Sequence, residues 1–151
     1  MVVVLDTTSF VSGIFWRTEA HQVLQAFANG RIVLAVTQSI LREYARVTLA
    51  VCEEEGLPVD PQPWLTAVGE MAFEFEPVPP RERVCRDAND DQFIVCALAA
   101  HADAIVTRDN DLLALGKPFG IPILTPWQLL SRMTLRQREL QPRLRVATAG
   151  W

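Results

Sequence analysis

Four separate stretches of the sequence carry carboxylates that could share one site. Asp6 follows the run Val2-Val3-Val4-Leu5, and Glu43 lies within SILREYARV. Asp87, Asp90 and Asp91 fall together in RDANDD, and Asp109 follows Ala104-Ile105-Val106-Thr107 with only Arg108 between. Like charges brought together raise one another's pKa and cost stability, so a site that gathers several is expected to hold something positive. His21 and His101 have no spacing to these acids that suggests a metal ligand or a triad, and Cys52, Cys85 and Cys96 form no CxxC pair. Oxygen donors alone suit hard cations, Mg2+ or Mn2+. Such an ion neutralises a phosphate, lowers the pKa of a bound water and stabilises a leaving oxygen, and two of them about 3.5–4 Å apart do so for phosphodiester cleavage. The residues point to metal-dependent phosphoryl hydrolysis.

The elements that carry these acids read as alternating strands and helices. Val2–Leu5, Ile32–Val36, Ala104–Thr107 and Ile121–Leu124 are short aliphatic runs of the kind buried in a parallel sheet. Phe73–Val78 alternates Phe and Glu, as a partly exposed strand does. Helical spacing runs from about Ser9 to Asn29, from Thr37 or Ser39 onward with Ile40, Leu41, Tyr44, Val47 and Thr48 inward, over Trp64–Met71, and through Phe93–Leu98. Glu53–Pro63 reads as a loop, Leu112–Leu115 as a short helix, and Thr125-Pro126-Trp127 as the opening of a last helix. The pattern predicts a three-layer α/β/α sandwich around a central parallel sheet. Ligands in such folds gather at the carboxyl ends of the strands where strand order reverses, which is where Asp6, Glu43, the group Asp87, Asp90 and Asp91, and Asp109 would aim their carboxylates.

Composition narrows the setting. The chain has 151 residues, half of them hydrophobic and 21% charged, enough for one well-cored domain. A net charge of -4 argues against a protein that coats nucleic acid electrostatically. Arg132, Arg136, Arg138, Arg143 and Arg145 nevertheless cluster near the C-terminus with only Glu139 among them. Apolar periodicity fades from Met133, so residues 1–131 read as the domain and 132–151 as an Arg-rich tail with freedom to move. Three unpaired cysteines, no basic leader before the first apolar run and no apolar stretch of about 20 residues lead to the expectation of a cytoplasmic chain with no membrane partner.

Taken singly, each polar residue has an ordinary reading. Asp6 caps a helix, Glu43 sits on a solvated face, Asp90 and Asp91 favour a helix N-terminus, and Asp109 and Asp111 belong to a turn or a cap. Ser39 caps a helix or orients a metal water, and Thr107 carries a hydroxyl close to the acids. Arg108 either contacts phosphate or forms a local salt bridge, and Arg86 flanks the acids in the same way. Trp16 and Trp127 read as packing residues in preference to base-stacking platforms.

The motifs resemble those of a PIN domain, of the kind found as the toxin of toxin–antitoxin pairs. The resemblance is carried by VVVLDTTSFVSG, SILREYARV, RDANDDQFIVCALAAHADAIVTRDNDLL and GIPILTPWQLL, from Val2 to about Leu130. It implies a three-layer fold, Mg2+- or Mn2+-dependent endoribonuclease activity on RNA, a homodimer and a small antitoxin partner. Carried over, the acidic set becomes Asp6, Glu43, Asp90 and Asp109, with Asp6, Asp90 and Asp109 holding the metal and Asp91, Thr8, Thr107 and Arg108 in support. Asp90 and Asp91 compete for the third acidic role. Thr8 stands where the family usually has Asn, and its hydroxyl can bond a metal water or Asp6 but cannot copy an amide. A degenerate PIN fold that binds without cutting is the alternative. A haloacid-dehalogenase-type phosphatase also carries Asp after its first strand, but it needs a second Asp where Thr8 stands.

Overall fold

Aliphatic runs without polar alternation form strands covered on both faces. The computed structural model describes residues 1–77 and 89–148, the side chains of 142–148 excepted. It contains β1 (Val2–Leu5), β2 (Val33–Val36), β3 (Phe73–Glu74), β4 (Ala104–Val106) and β5 (Ile123–Leu124). Val3, Val4, Leu5, Leu34, Ala104, Ile105 and Val106 are wholly excluded from solvent. All pairings are parallel, in the order β3-β2-β1-β4-β5. The chain moves outward from β1 to β3, then returns to the other side of β1, so strand order reverses between β1 and β4, where Leu5 aligns with Val106. Helices cover both faces of the sheet, completing the three layers.

The helical stretch expected from Ser9 to Asn29 is two helices, α1 (Thr7–Phe15) and α2 (Glu19–Ala28). Trp16 and Thr18 are extended at the break, and α2 folds back on α1. Gly13 permits the close approach, because a Cβ there would stand 2.8 Å from the Ala20 carbonyl oxygen and from Leu24 Cδ1. His21 Nδ1 donates to the Gly13 carbonyl at 2.7 Å across the same contact.

After β2, Thr37 caps α3 (Gln38–Glu55), accepting from the Ile40 N–H at 3.3 Å. Ile40, Tyr44 and Thr48 form its buried stripe. The helix runs through Glu53-Glu54-Glu55, expected as loop, and stops at Gly56, whose left-handed backbone (φ 57°) suits glycine. Next come α4 (Gln62–Met71) and a β3 much shorter than the expected Phe73–Val78. Both of its residues are exposed at the sheet edge, Pro77 cannot donate to a ladder, and Val78 lies outside the described residues.

The helix α5 (Asp91–Ala100) packs on β1, β2 and β4 and ends at His101. Burial pushes the thiol of its Cys96 up to about 12, so that residue packs as a small apolar group. β4 leads into α6 (Asn110–Ala114), and β5 into α7 (Pro126–Thr148). Thr125 and Gln128 form a reciprocal cap at the start of α7, with bonds of 3.2 and 2.9 Å. Leu129 and Met133 anchor α7 to the core, and residues 134–141 are exposed. The boundary expected between residues 131 and 132 falls within this helix. Among the described residues, no helix is long and apolar enough to cross a membrane.

Candidate active site

Asp6 leaves β1 at the reversal point and serves two neighbours. Its Oδ1 caps α1 by accepting from the Ser9 N–H at 2.9 Å. Its Oδ2 accepts from the Thr107 hydroxyl, at the end of β4, at 2.7 Å. Thr107 Oγ1 in turn accepts from the Asp109 N–H at 2.9 Å. Asp109 Oδ1 caps α6, accepting from the N–H groups of Asp111 (2.8 Å) and Leu112 (3.2 Å). One hydroxyl thus ties the two acids that follow adjacent strands.

Burial raises the Asp6 carboxyl above the usual carboxylate range, and the nearby Asp109 charge adds to the shift. Hydrogen bonds from Ser9 and Thr107 oppose the rise without cancelling it. Asp6 is only 4% exposed, whereas Asp109 is open to solvent. Among the described residues, no Lys or Arg forms an ion pair with either acid; the pair present is Arg108 with Glu19.

Glu43 joins this edge from α3. Its Oε1 accepts from the Thr7 hydroxyl at 2.7 Å, and its Oε2 accepts from the Gln92 side-chain amide. Gln92 Oε1 accepts from Ser39 at 2.9 Å, so Glu43 and the first turn of α5 are bound together. Asp90 occupies the position that opens α5 but does not cap it with its side chain, and Asp91 lies in the first turn. Beneath them, the Tyr44 hydroxyl donates to the Leu5 carbonyl, and its ring stacks on Phe10 with centroids 4.0 Å apart. Burial first, then the charge of Asp6, pushes the Tyr44 phenol well above its ordinary range, so it remains a donor.

Several readings of single residues change. Thr8 is exposed, and the bonds to Asp6 considered for it are made by Ser9 and Thr107. Ser39 does not cap α3, since Thr37 does. Asp109 rather than Asp111 caps α6. Arg108 reaches Glu19 at 3.3 Å, in a pair whose side chains are 41% and 46% exposed. Trp16 and Trp127, read as packing residues, are 44% and 65% exposed. Arg86, Asp87 and Cys85 lie outside the described residues. Thr7, Gln92 and Tyr44 had been missed as site residues. Thr7 adjoins Asp6 and Gln92 adjoins Asp91, so position beside an acid was the available signal.

Among the described residues, no three His, Cys, Asp or Glu side chains form a ready cage for an ion. Mg2+ does not require one, because it keeps several waters and is bound through one or two carboxylates. Asp6 and Asp109 offer that donor chemistry, with oxygen donors and, at Asp6, a desolvated carboxyl that no ion pair offsets among the described residues. The residues present fit a hard divalent cation.

Neither the curated proteins nor the solved structures gave a match. The PIN domain family model matches residues 2–111, from β1 into α6. That span contains Asp6, Glu43, Asp90 and Asp109, and covers more than two thirds of the sequence. The chain belongs to the PIN domain family.

Proposed function

We propose that this protein is a divalent-cation-dependent endoribonuclease that hydrolyses RNA phosphodiester bonds at the edge carrying Asp6 and Asp109. PIN domains are generally nucleases and typically use divalent metal ions. The observation that carries the reading is a buried carboxylate, Asp6, disfavoured in its charged form by burial and by Asp109, with no ion pair among the described residues to offset it. Asp6 and Asp109 would hold the cation, with Asp90 and Glu43 completing the acidic set. When bound, a hard divalent ion supplies charge compensation for the phosphate and the leaving oxygen, and acidifies an attacking water.

The chain's own groups prepare that edge. Ser9 and Thr107 fix the two oxygens of Asp6, and the first turn of α6 fixes Oδ1 of Asp109. Thr7 and Gln92 hold Glu43, which in this reading accepts the proton of the attacking water. Tyr44 pins the end of β1 directly before Asp6.

Asp6→Asn and Asp109→Asn should abolish RNA cleavage in Mn2+ or Mg2+ while leaving the protein folded, and either variant cutting at the wild-type rate would refute the assignment. Added Mn2+ or Mg2+ should raise the melting temperature of the wild type, by about 2.7 kcal/mol of stability at 100 times Kd. A melt indifferent to both ions would favour a PIN fold that binds without cutting. The toxin role, the antitoxin partner and the homodimer implied by the family resemblance belong to the same proposal. Co-purification with the product of a neighbouring reading frame, and the mass of the complex, would test them.

A further inference from the structure

The carboxylate edge is flanked by two cavities of opposite character. On the β2–β3 side, a cavity of about 460 Å3 is lined by Glu74, Phe75, Glu76 and Gln92, among others. Its two glutamates repel a polyanion. On the β4–β5 side, a cavity of about 280 Å3 is lined by Glu19, Arg108, Asn110, Leu113, Thr125 and Trp127. This second cavity combines a cation and a side-chain amide, Arg108 and Asn110 on either side of Asp109 in sequence, with the aromatic face of Trp127.

We propose that the β4–β5 cavity is a binding site for one unpaired nucleobase and its phosphate, with Trp127 as the stacking platform and Arg108 as the phosphate contact. The substrate class is then single-stranded RNA, approaching from the β5 side. The ligand is taken from the nuclease reading above, and the stacking site is argued from three observations of its own.

Trp127 is 65% exposed at the start of α7, although a tryptophan is among the side chains with most to gain from burial. The core contacts of that helix are made by Leu129 and Met133 instead. The reciprocal cap of Thr125 and Gln128 fixes the turn that presents the indole, so the ring stands on a rigid support. Arg108 directly precedes Asp109, and its neighbour Thr107 bonds Asp6. Its pair with Glu19 is half-exposed at 3.3 Å, and such pairs contribute little. A phosphate offers the guanidinium charge-assisted bonds in paired geometry, so exchanging Glu19 for phosphate is favourable. A base gains by stacking on an aromatic platform whatever its identity, but a base paired inside a duplex has no free face.

The test uses wild-type protein in EDTA at about 50 mM salt, where binding is read without cleavage. A short single-stranded oligoribonucleotide should quench the intrinsic tryptophan fluorescence, and a duplex of the same sequence should not. Trp127→Ala should remove the quench and weaken binding, read by anisotropy, about tenfold, while Trp127→Phe retains most of the affinity. Arg108→Ala should weaken binding and reduce the log–log salt slope by about 0.7. Glu19→Gln should tighten binding by releasing Arg108. Trp127→Ala binding as wild type does, a duplex quenching equally, or a wild type that does not bind would each overturn the proposal. RNA cleavage with an unchanged KM in Trp127→Ala would overturn this proposal alone. A wild type that stacks RNA on Trp127 yet cuts none in Mn2+ or Mg2+ would overturn the nuclease reading and leave this one standing.

Discussion

Thr107→Val removes one oxygen while nearly preserving shape, and that oxygen is the link between the two central acids. Thr107 is fully buried, so the substitution opens no sizeable cavity and brings no water. Its hydroxyl donates to Asp6 at 2.7 Å and accepts from the Asp109 N–H at 2.9 Å. Losing a bond to a charged group costs about 1.5–3 kcal/mol, and losing the amide bond about 0.5–1.5 kcal/mol. The sum is about 2–4 kcal/mol at a pH where Asp6 is ionised. For a chain of this size each kcal/mol moves the melting temperature by about 2–4 °C, so Tm should fall by about 5–15 °C. Thermal melting by circular dichroism measures this, with urea unfolding at an unchanged m-value as a check. The larger part exists only while Asp6 is ionised, so the gap should narrow as pH falls through its raised native range. A variant melting within about 1 °C of wild type at every pH, or a gap that widens in acid, would refute the reasoning.

Two further substitutions probe the same architecture. The native Asp6 carboxyl lies above its unfolded value, so its contribution is most favourable in acid and is lost as pH rises through the native value. Without divalent ions, the Tm of Asp6→Asn relative to wild type should therefore improve with rising pH, and a difference moving the other way would sink the assignment. Gly13→Ala sets about 0.5–1 kcal/mol of helix propensity against a Cβ 2.8 Å from a backbone oxygen that cannot retreat. Overpacking of that kind costs about 1–3 kcal/mol, so the variant should melt several degrees lower, and a higher melting temperature would show that α2 can shift.

The sheet was legible because its strands are uninterrupted aliphatic runs, and the link between Asp6 and Asp109 because each follows the end of such a run. The break at Trp16-Arg17-Thr18 was hidden, since both flanking segments keep helical spacing and the turn lacks Gly or Pro. Glu53-Glu54-Glu55 looked like loop because its charges mask a helix that stops only at Gly56. The contacts of Thr7 and Gln92 with Glu43 depend on how α1 and α5 meet α3, which spacing along one segment does not encode. Trp127 was misjudged on residue type, because exposure is decided by whether Leu129 and Met133 suffice to anchor α7.

Asp6 and Asp109 each commit one oxygen to starting the helix that follows. Their side-chain torsions are therefore settled during folding, and capturing a ligand demands little further loss of rotor freedom. The arrangement also makes the two duties separable. Serine can start a helix nearly as well as aspartate but brings no charge, so Asp109→Ser would keep the start of α6 and silence the acid, whereas Asp6→Ser would keep the start of α1 but give up the bond from Thr107. On the proposed nuclease reading, an inactive yet folded homologue is one exchange at Asp109 away.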